Sequence, residues 1–200
     1  MVDLFNLLAK FARVSPKLKN HLESILVEIK APKGTVLLDI GDYADYIYYI
    51  DQGLVMSYYI KDGKEVVNWF MKKGDLCISV NSFFMHVPSK EIIVTMKDCV
   101  LWAIRRDELD ATYKKFRGFE RNGRLITQVY YCRSEERLLF ERSQTPIEKF
   151  TLMMKHYPDL YRDVPIKYLA SYMNISQRTY NTTKKEYFES LKKGGKKGEN

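Results

Sequence analysis

Five glycines, Gly34, Gly41, Gly53, Gly63 and Gly74, punctuate a stretch that is otherwise rich in β-branched and aromatic residues. Glycine reaches the positive-φ backbone that tight turns need, so turn signals about every eight to twelve residues cut the stretch into short strands. The runs Thr35–Leu38, Tyr46–Ile50, Leu54–Ile60, Val66–Phe70, Ile92–Met96 and Cys99–Ile104 fill the intervals. Lys61-Asp62-Gly63-Lys64 puts Asp-Gly at the centre of a hairpin turn. No helical period interrupts Ile29 to Ile104, so the segment reads as an antiparallel sandwich or barrel.

Helical patterns flank it. Leu4, Leu7, Leu8 and Phe11 share one side of a first helix, and Ser15-Pro16 opens a second with Leu18, Leu22, Ile25 and Leu26 on its apolar face. After Arg105 the helical period returns. Arg106–Phe116 reads as one short helix and Phe119 to Arg142 as a long one. Leu125, Val129, Cys132 and Leu139 form a stripe on the long helix, broken by Glu136, and charged residues cover its other faces. The stripe packs either on its own domain or against a twin. A helix bridging two domains would leave it exposed, which favours a homodimer. Thr145-Pro146 then caps and opens another helix, with Ile147, Phe150, Thr151 and Met154 inward and an end near His156.

Pro165 to Phe188 reads as a short helix, a tight turn and a second helix. Ile166, Leu169, Ala170 and Met173 recur at helical spacing, Asn174 tolerates left-handed backbone, Ile175 plugs the angle and Ser176 is a good N-cap. The second helix is polar on most faces, which suits a major groove; an ordinary helical hairpin with a solvated face is the plainer alternative. Net charge is +8, and residues 144–200 hold eleven Lys+Arg against six Asp+Glu. The basic excess therefore sits with this segment, where it would neutralise phosphates. The tail at 193–200 is rich in glycine and lysine and reads as flexible.

Other classes find little support. Cys77, Cys99 and Cys132 are scattered, with neither metal spacing nor a disulfide framework. His21, His86 and His156 stand apart, and no nucleophile elbow, phosphate loop or zinc helix motif is present. No apolar run is long enough to span a bilayer. The expectation is a cytoplasmic, metal-free protein that is not an enzyme.

Taken together, the order of parts resembles the Crp/Fnr superfamily of bacterial transcription regulators. The resemblance rests on Lys33-Gly34-Thr35-Val36-Leu37, the run Gly41-Asp42-Tyr43-Ala44-Asp45-Tyr46-Ile47-Tyr48, Gln52-Gly53-Leu54-Val55, Asp62-Gly63-Lys64-Glu65, Lys73-Gly74-Asp75-Leu76 and Val164 to Ser176. It implies an α+β chain: a jelly-roll-like, antiparallel double-stranded β-helix sensor with N-terminal helices (1–118), a long dimerisation helix (119–143) and a helix-turn-helix or winged-helix domain with a short or missing wing (144–192). It also implies a homodimer on palindromic double-stranded DNA, with RNA polymerase as a further partner. By family position Gln177, Arg178, Asn181 and Thr182 face bases beside Ser176 and Thr179, while Lys167, Lys184 and Lys185 meet phosphates.

The family's phosphate-binding cassette uses a Gly-Glu pair for the ribose and an Arg-Ser/Thr-Ala run for the cyclic phosphate. Counting from Gly74-Asp75, these positions fall on Ile78-Ser79 and on Ser89-Lys90-Glu91. The carboxylate and the arginine are absent and an acid has entered; Lys90 offers charge without a bidentate fork. The remnant cassette is Ser79, Asn81, Ser89 and Lys90, and cyclic AMP is not expected to bind. Either another small ligand occupies the pocket or Phe83, Phe84 and Met85 fill it. The recognition helix also departs from the family: Tyr180-Asn181-Thr182-Thr183-Lys184 stands where relatives carry Leu-Ser-Arg-Ile-Arg, so Thr182 replaces a base-pairing arginine. Two readings follow, a DNA-binding regulator and a fold-retaining sensor or interaction module that no longer reads DNA.

Overall fold

The computed structural model describes residues 1–195. They divide into two compact units, one built from Met1–Ile60 and Asn68–Tyr131, the other from Lys61–Val67 and the chain from Cys132 onward.

The first unit opens with α1 (Val2–Phe11) and α2 (Pro16–Ile25), the latter capped by Ser15 Oγ, which accepts a hydrogen bond from Leu18 N. Eight strands follow: β1 (Val27–Ala31), β2 (Val36–Leu38), β3 (Tyr46–Gln52), β4 (Leu54–Lys61), β5 (Lys64–Lys72), β6 (Leu76–Cys77), β7 (Ile92–Thr95) and β8 (Cys99–Arg105). They form two four-stranded sheets, ordered β1-β8-β3-β6 and β2-β7-β4-β5. The expected antiparallel roll is therefore present. Asp62 and Gly63 both take positive φ, 51° and 71°, as a tight hairpin between β4 and β5 requires.

Gly53 turns the chain from β3 into β4 at φ 107°. A Cβ there would lie 2.7 Å from the Asp98 carbonyl oxygen, so the turn has room for glycine alone. Ile50, Val55 and Leu101 are fully buried between the sheets. Cys77 is also fully buried, and burial pushes its thiol well above its ordinary pKa. It packs as a small apolar residue.

One expectation fails. A helix, α3 (Val80–Met85), does interrupt the roll. It is six residues long and ends at His86 in left-handed backbone, φ 50°. Fewer than two turns leave no helical period to detect.

Helices α4 (Arg106–Lys115) and α5 (Arg117–Ser143) follow β8. The first half of α5 belongs to this unit. Phe119 is buried, Asn122 Nδ2 donates to Leu8 O at 2.7 Å, and Leu76 N donates to the Tyr130 hydroxyl at 2.7 Å. On the proposed dimer stripe Leu125 is half-buried, while Val129, Cys132 and Leu139 are exposed.

The second unit takes the rest of α5 with α6 (Pro146–His156), α7 (Leu160–Asp163), α8 (Ile166–Tyr172) and α9 (Gln177–Gly195). Thr145 and Glu148 form a reciprocal capping box at the start of α6. The buried face of α6 is Lys149, Phe150 and Met153; Thr151 is exposed, one position off the expected stripe. Ile166 likewise lies partly in solvent, whereas Leu169, Ala170 and Met173 are buried as expected.

Two cations hold the carbonyl end of α8. Arg137 stacks 3.9 Å from the Tyr172 ring centroid and donates to Tyr172 O at 2.6 Å. Lys149 Nζ donates to Met173 O at 3.1 Å and to Glu141 O at 3.0 Å. Burial holds the Lys149 ammonium below its ordinary pKa, while the negative end of the helix suits both charges. Among the described residues no strand follows α9. Helix α9 carries the first residues of the predicted tail to Gly195, and residues 196–200 lie outside the described residues.

Candidate functional site

The α8–turn–α9 segment has the geometry of a helix-turn-helix. Asn174 supplies the left-handed residue at φ 52°, and Ile175 N reaches back to Ala170 O at 3.0 Å. Ser176 Oγ accepts from Thr179 N at 3.0 Å and contacts Thr179 Oγ1 at 2.8 Å, capping α9. The inner face of α9 is apolar. Tyr180 is fully buried and Thr183 nearly so, and the Phe150 ring lies 5.5 Å from Tyr180 and 5.1 Å from Tyr187.

Two of the divergent recognition-helix residues therefore belong to the core. Tyr180 and Thr183 take inward positions, and the outward face is read from Gln177, Arg178, Asn181, Thr182 and Lys185, all exposed. Their spacing puts them on one side of the helix. Burial pushes the Tyr180 phenol up to about 12, and its hydroxyl has no hydrogen-bond partner. Thr179 is half-buried and committed to the cap. Lys184 lies over the Tyr161 ring at 5.3 Å, and Lys185 is 3.9 Å from Glu189. Lys167 is paired with Glu65 at 2.8 Å within this unit, so its charge is partly spent before any phosphate arrives.

The predicted cassette is assembled only in part. Ser79 and Ser89 are buried, whereas Asn81 and Lys90 are exposed. The residue that organises the site is Glu91. Its carboxylate accepts from Ser79 Oγ at 2.8 Å and from Asn68 Nδ2 at 3.2 Å. Ser89 Oγ donates to the Glu91 carbonyl at 2.7 Å and accepts from Glu91 N at 3.1 Å. The Glu91 carboxylate thus takes the Ser79 hydroxyl and the Asn68 amide, while the Ser89 hydroxyl bonds the Glu91 backbone. Glu91 was legible in sequence as an acid out of place, but its partner Asn68, on β5, was not.

Beside the cassette lies an open cavity of about 450 Å³, lined by Ser79 together with residues of β2, β3, β7 and the loop at Gly41–Asp45. Ser89 and Lys90 do not line it. Phe83 is buried in the roll core, but Phe84 and Met85 are 56% and 69% exposed, so the filled pocket expected from these residues is not formed. Burial pushes the Tyr48 phenol up to about 12, which keeps it protonated throughout the physiological range.

Residues 28–116 match the family described as cyclic nucleotide-binding domain. The fold is similar to FixK2 from Bradyrhizobium japonicum, at 17% identity and TM-score 0.68 over 83% of this chain and 86% of that one. It is also similar to a structure from Eubacterium rectale described as a transcriptional regulator of the Crp/Fnr family, at 11% identity and TM-score 0.68 over 88% and 85%. A third match is CLP of Xanthomonas campestris, described as a c-di-GMP-responsive global regulator, at 15% identity and TM-score 0.62 over 90% and 93%. Residues 28–116 thus resemble a cyclic nucleotide-binding domain, and over most of its length the chain shares its fold with these regulators.

Proposed function

We propose that the chain is a homodimeric, sequence-specific DNA-binding transcription regulator of the Crp/Fnr type, acting in the cytoplasm without a catalytic step. The observation that carries this reading is the exposed face Gln177, Arg178, Asn181, Thr182 and Lys185 on a helix whose opposite face is buried. Gln177 and Asn181 suit adenine edges, Arg178 suits guanine, and Lys184 and Lys185 suit phosphates. The exposed stripe Val129, Cys132 and Leu139, with Tyr131 and Leu138 beside it, supports pairing of two copies through α5. A two-fold dimer reads a palindrome with half-sites about one helical turn apart. RNA polymerase is the further partner that such a regulator meets at a promoter.

Selection from random DNA followed by gel shift tests the reading. A palindromic consensus is expected, and Arg178→Ala with Lys184→Ala should weaken binding at least about tenfold, because a good base contact contributes roughly 1–3 kcal/mol. Selection that returns no consensus at moderate salt would favour the interaction-module reading instead.

The same proposal holds that the cassette does not take cyclic AMP. Glu91 already uses the Ser79 and Asn68 donors, and a phosphate brought to the same place would face a carboxylate. Calorimetric titration with cyclic AMP should give no saturable heat in the micromolar range. Micromolar binding would overturn this part of the reading and leave the DNA-binding part standing.

A further inference from the structure

The cavity beside the cassette has a chemistry of its own. Asp42, Tyr43, Asp45, Tyr46 and Tyr48 line it over an apolar floor that includes Leu38, and no lysine, arginine or histidine does. Asp42 and Asp45 are exposed, and neither carboxylate makes a hydrogen bond or ion pair among the described residues. The rings of Tyr46 and Tyr48 lie 6.0 Å apart, and Tyr43 rests on His86 at 5.0 Å. Tyr48 is 8% exposed, yet its hydroxyl has no hydrogen-bond partner among the described residues. The hydroxyl is not sealed from solvent, so a ligand group entering the cavity can reach it.

The loop is held in place before anything binds. Gly41 N donates to Ser89 O at 2.9 Å, Ser89 N to Asp42 O at 2.7 Å, and Ala44 N to Ser82 Oγ at 2.9 Å. Preorganisation of this kind removes part of the cost of binding.

The lining selects by charge. Two unpaired carboxylates repel an anion, which excludes a nucleotide phosphate. A bare metal ion needs a cluster of close ligands, and among the described residues no group of three or more His, Cys, Asp or Glu side chains is placed to hold one. An organic cation meets both features at once. Its charge faces the carboxylates, and its alkyl substituents lie against the electron-rich faces of the tyrosines. The volume falls within the roughly 300–1,000 Å³ usual for small-molecule sites.

We propose that this cavity binds a small organic cation, a quaternary or protonated amine. The charge sits against Asp42 and Asp45, the substituents pack on Tyr43 and Tyr46, and a hydroxyl on the ligand pairs with Tyr48. The site is separate from the DNA-reading face, so it stands or falls independently of the regulator reading.

The test is calorimetric titration of the full chain with choline and with its uncharged carbon isostere, 3,3-dimethylbutan-1-ol. Choline should bind at least about tenfold more tightly than the isostere. Asp42→Asn with Asp45→Asn alters two exposed positions and should leave the circular dichroism unchanged. The double variant should lose about tenfold in choline affinity with no change for the isostere. Calcium chloride should not compete with choline. The proposal is overturned if choline gives no saturable heat at millimolar concentration, if both ligands bind alike, if the double variant keeps full choline affinity, or if calcium displaces choline. Gel shift on the same preparations reads the DNA-binding proposal separately.

Discussion

Replacing Phe150 with alanine is expected to cost about 3–5 kcal/mol and to melt the helical unit well below the temperature of the parent chain. The ring is fully buried at the meeting point of α6 and α9, with Tyr180, Tyr187 and Phe188 at 5.5, 5.1 and 6.4 Å. Removing it leaves a void that these aromatic neighbours cannot all collapse into. The loss is a large part of the roughly 5–15 kcal/mol that stabilises a typical domain. Urea unfolding followed by far-ultraviolet circular dichroism reads it directly. Tyr180→Phe is the companion variant. The Tyr180 hydroxyl is buried without a partner, so its removal should be neutral or mildly stabilising. A Phe150→Ala cost below about 1 kcal/mol would mean that the packing around α9 is not what holds the helix.

In the roll, Gly53→Ala should have the larger effect of any single added methyl. The residue sits at φ 107°, and a Cβ would meet Cys99 Sγ, Asp98 O at 2.7 Å and Cys99 Cα at 2.9 Å. Backbone strain of about 1–3 kcal/mol adds to overpacking of about 1–3 kcal/mol, so a loss of roughly 2–6 kcal/mol is expected. Gly63→Ala is the contrast. Its φ is also positive, at 71°, but the space around it is open, so only the backbone term applies. Equal midpoints for the two variants in urea would show that close approach to β8 is not what the glycine serves.

The parts of the fold that were legible in sequence are those with strong local signals. Asp62-Gly63 marks a hairpin by the backbone it tolerates, and Thr145-Pro146 marks a helix start by its cap and its fixed φ. Ser176 and Asn174 did the same for the turn before α9. What was not legible depends on partners distant in sequence or on elements too short to show a period. Helix α3 and strand β6, with two residues, belong to the second kind. The burial of Tyr180 belongs to the first, because the aromatic cluster around Phe150 is what receives it. The carboxylate of Glu91 was visible as a misfit, while the donors it accepts from lie on β5 and at the residue before α3.

The grip on the carbonyl end of α8 bears on modularity. Arg137 and Lys149 reach it from 35 and 24 residues upstream, outside the two helices they steady. The angle at which α9 is presented is therefore a property of the whole helical unit, and grafting Pro165–Phe188 alone onto another scaffold would transfer the outward side chains without the buttress that aims them.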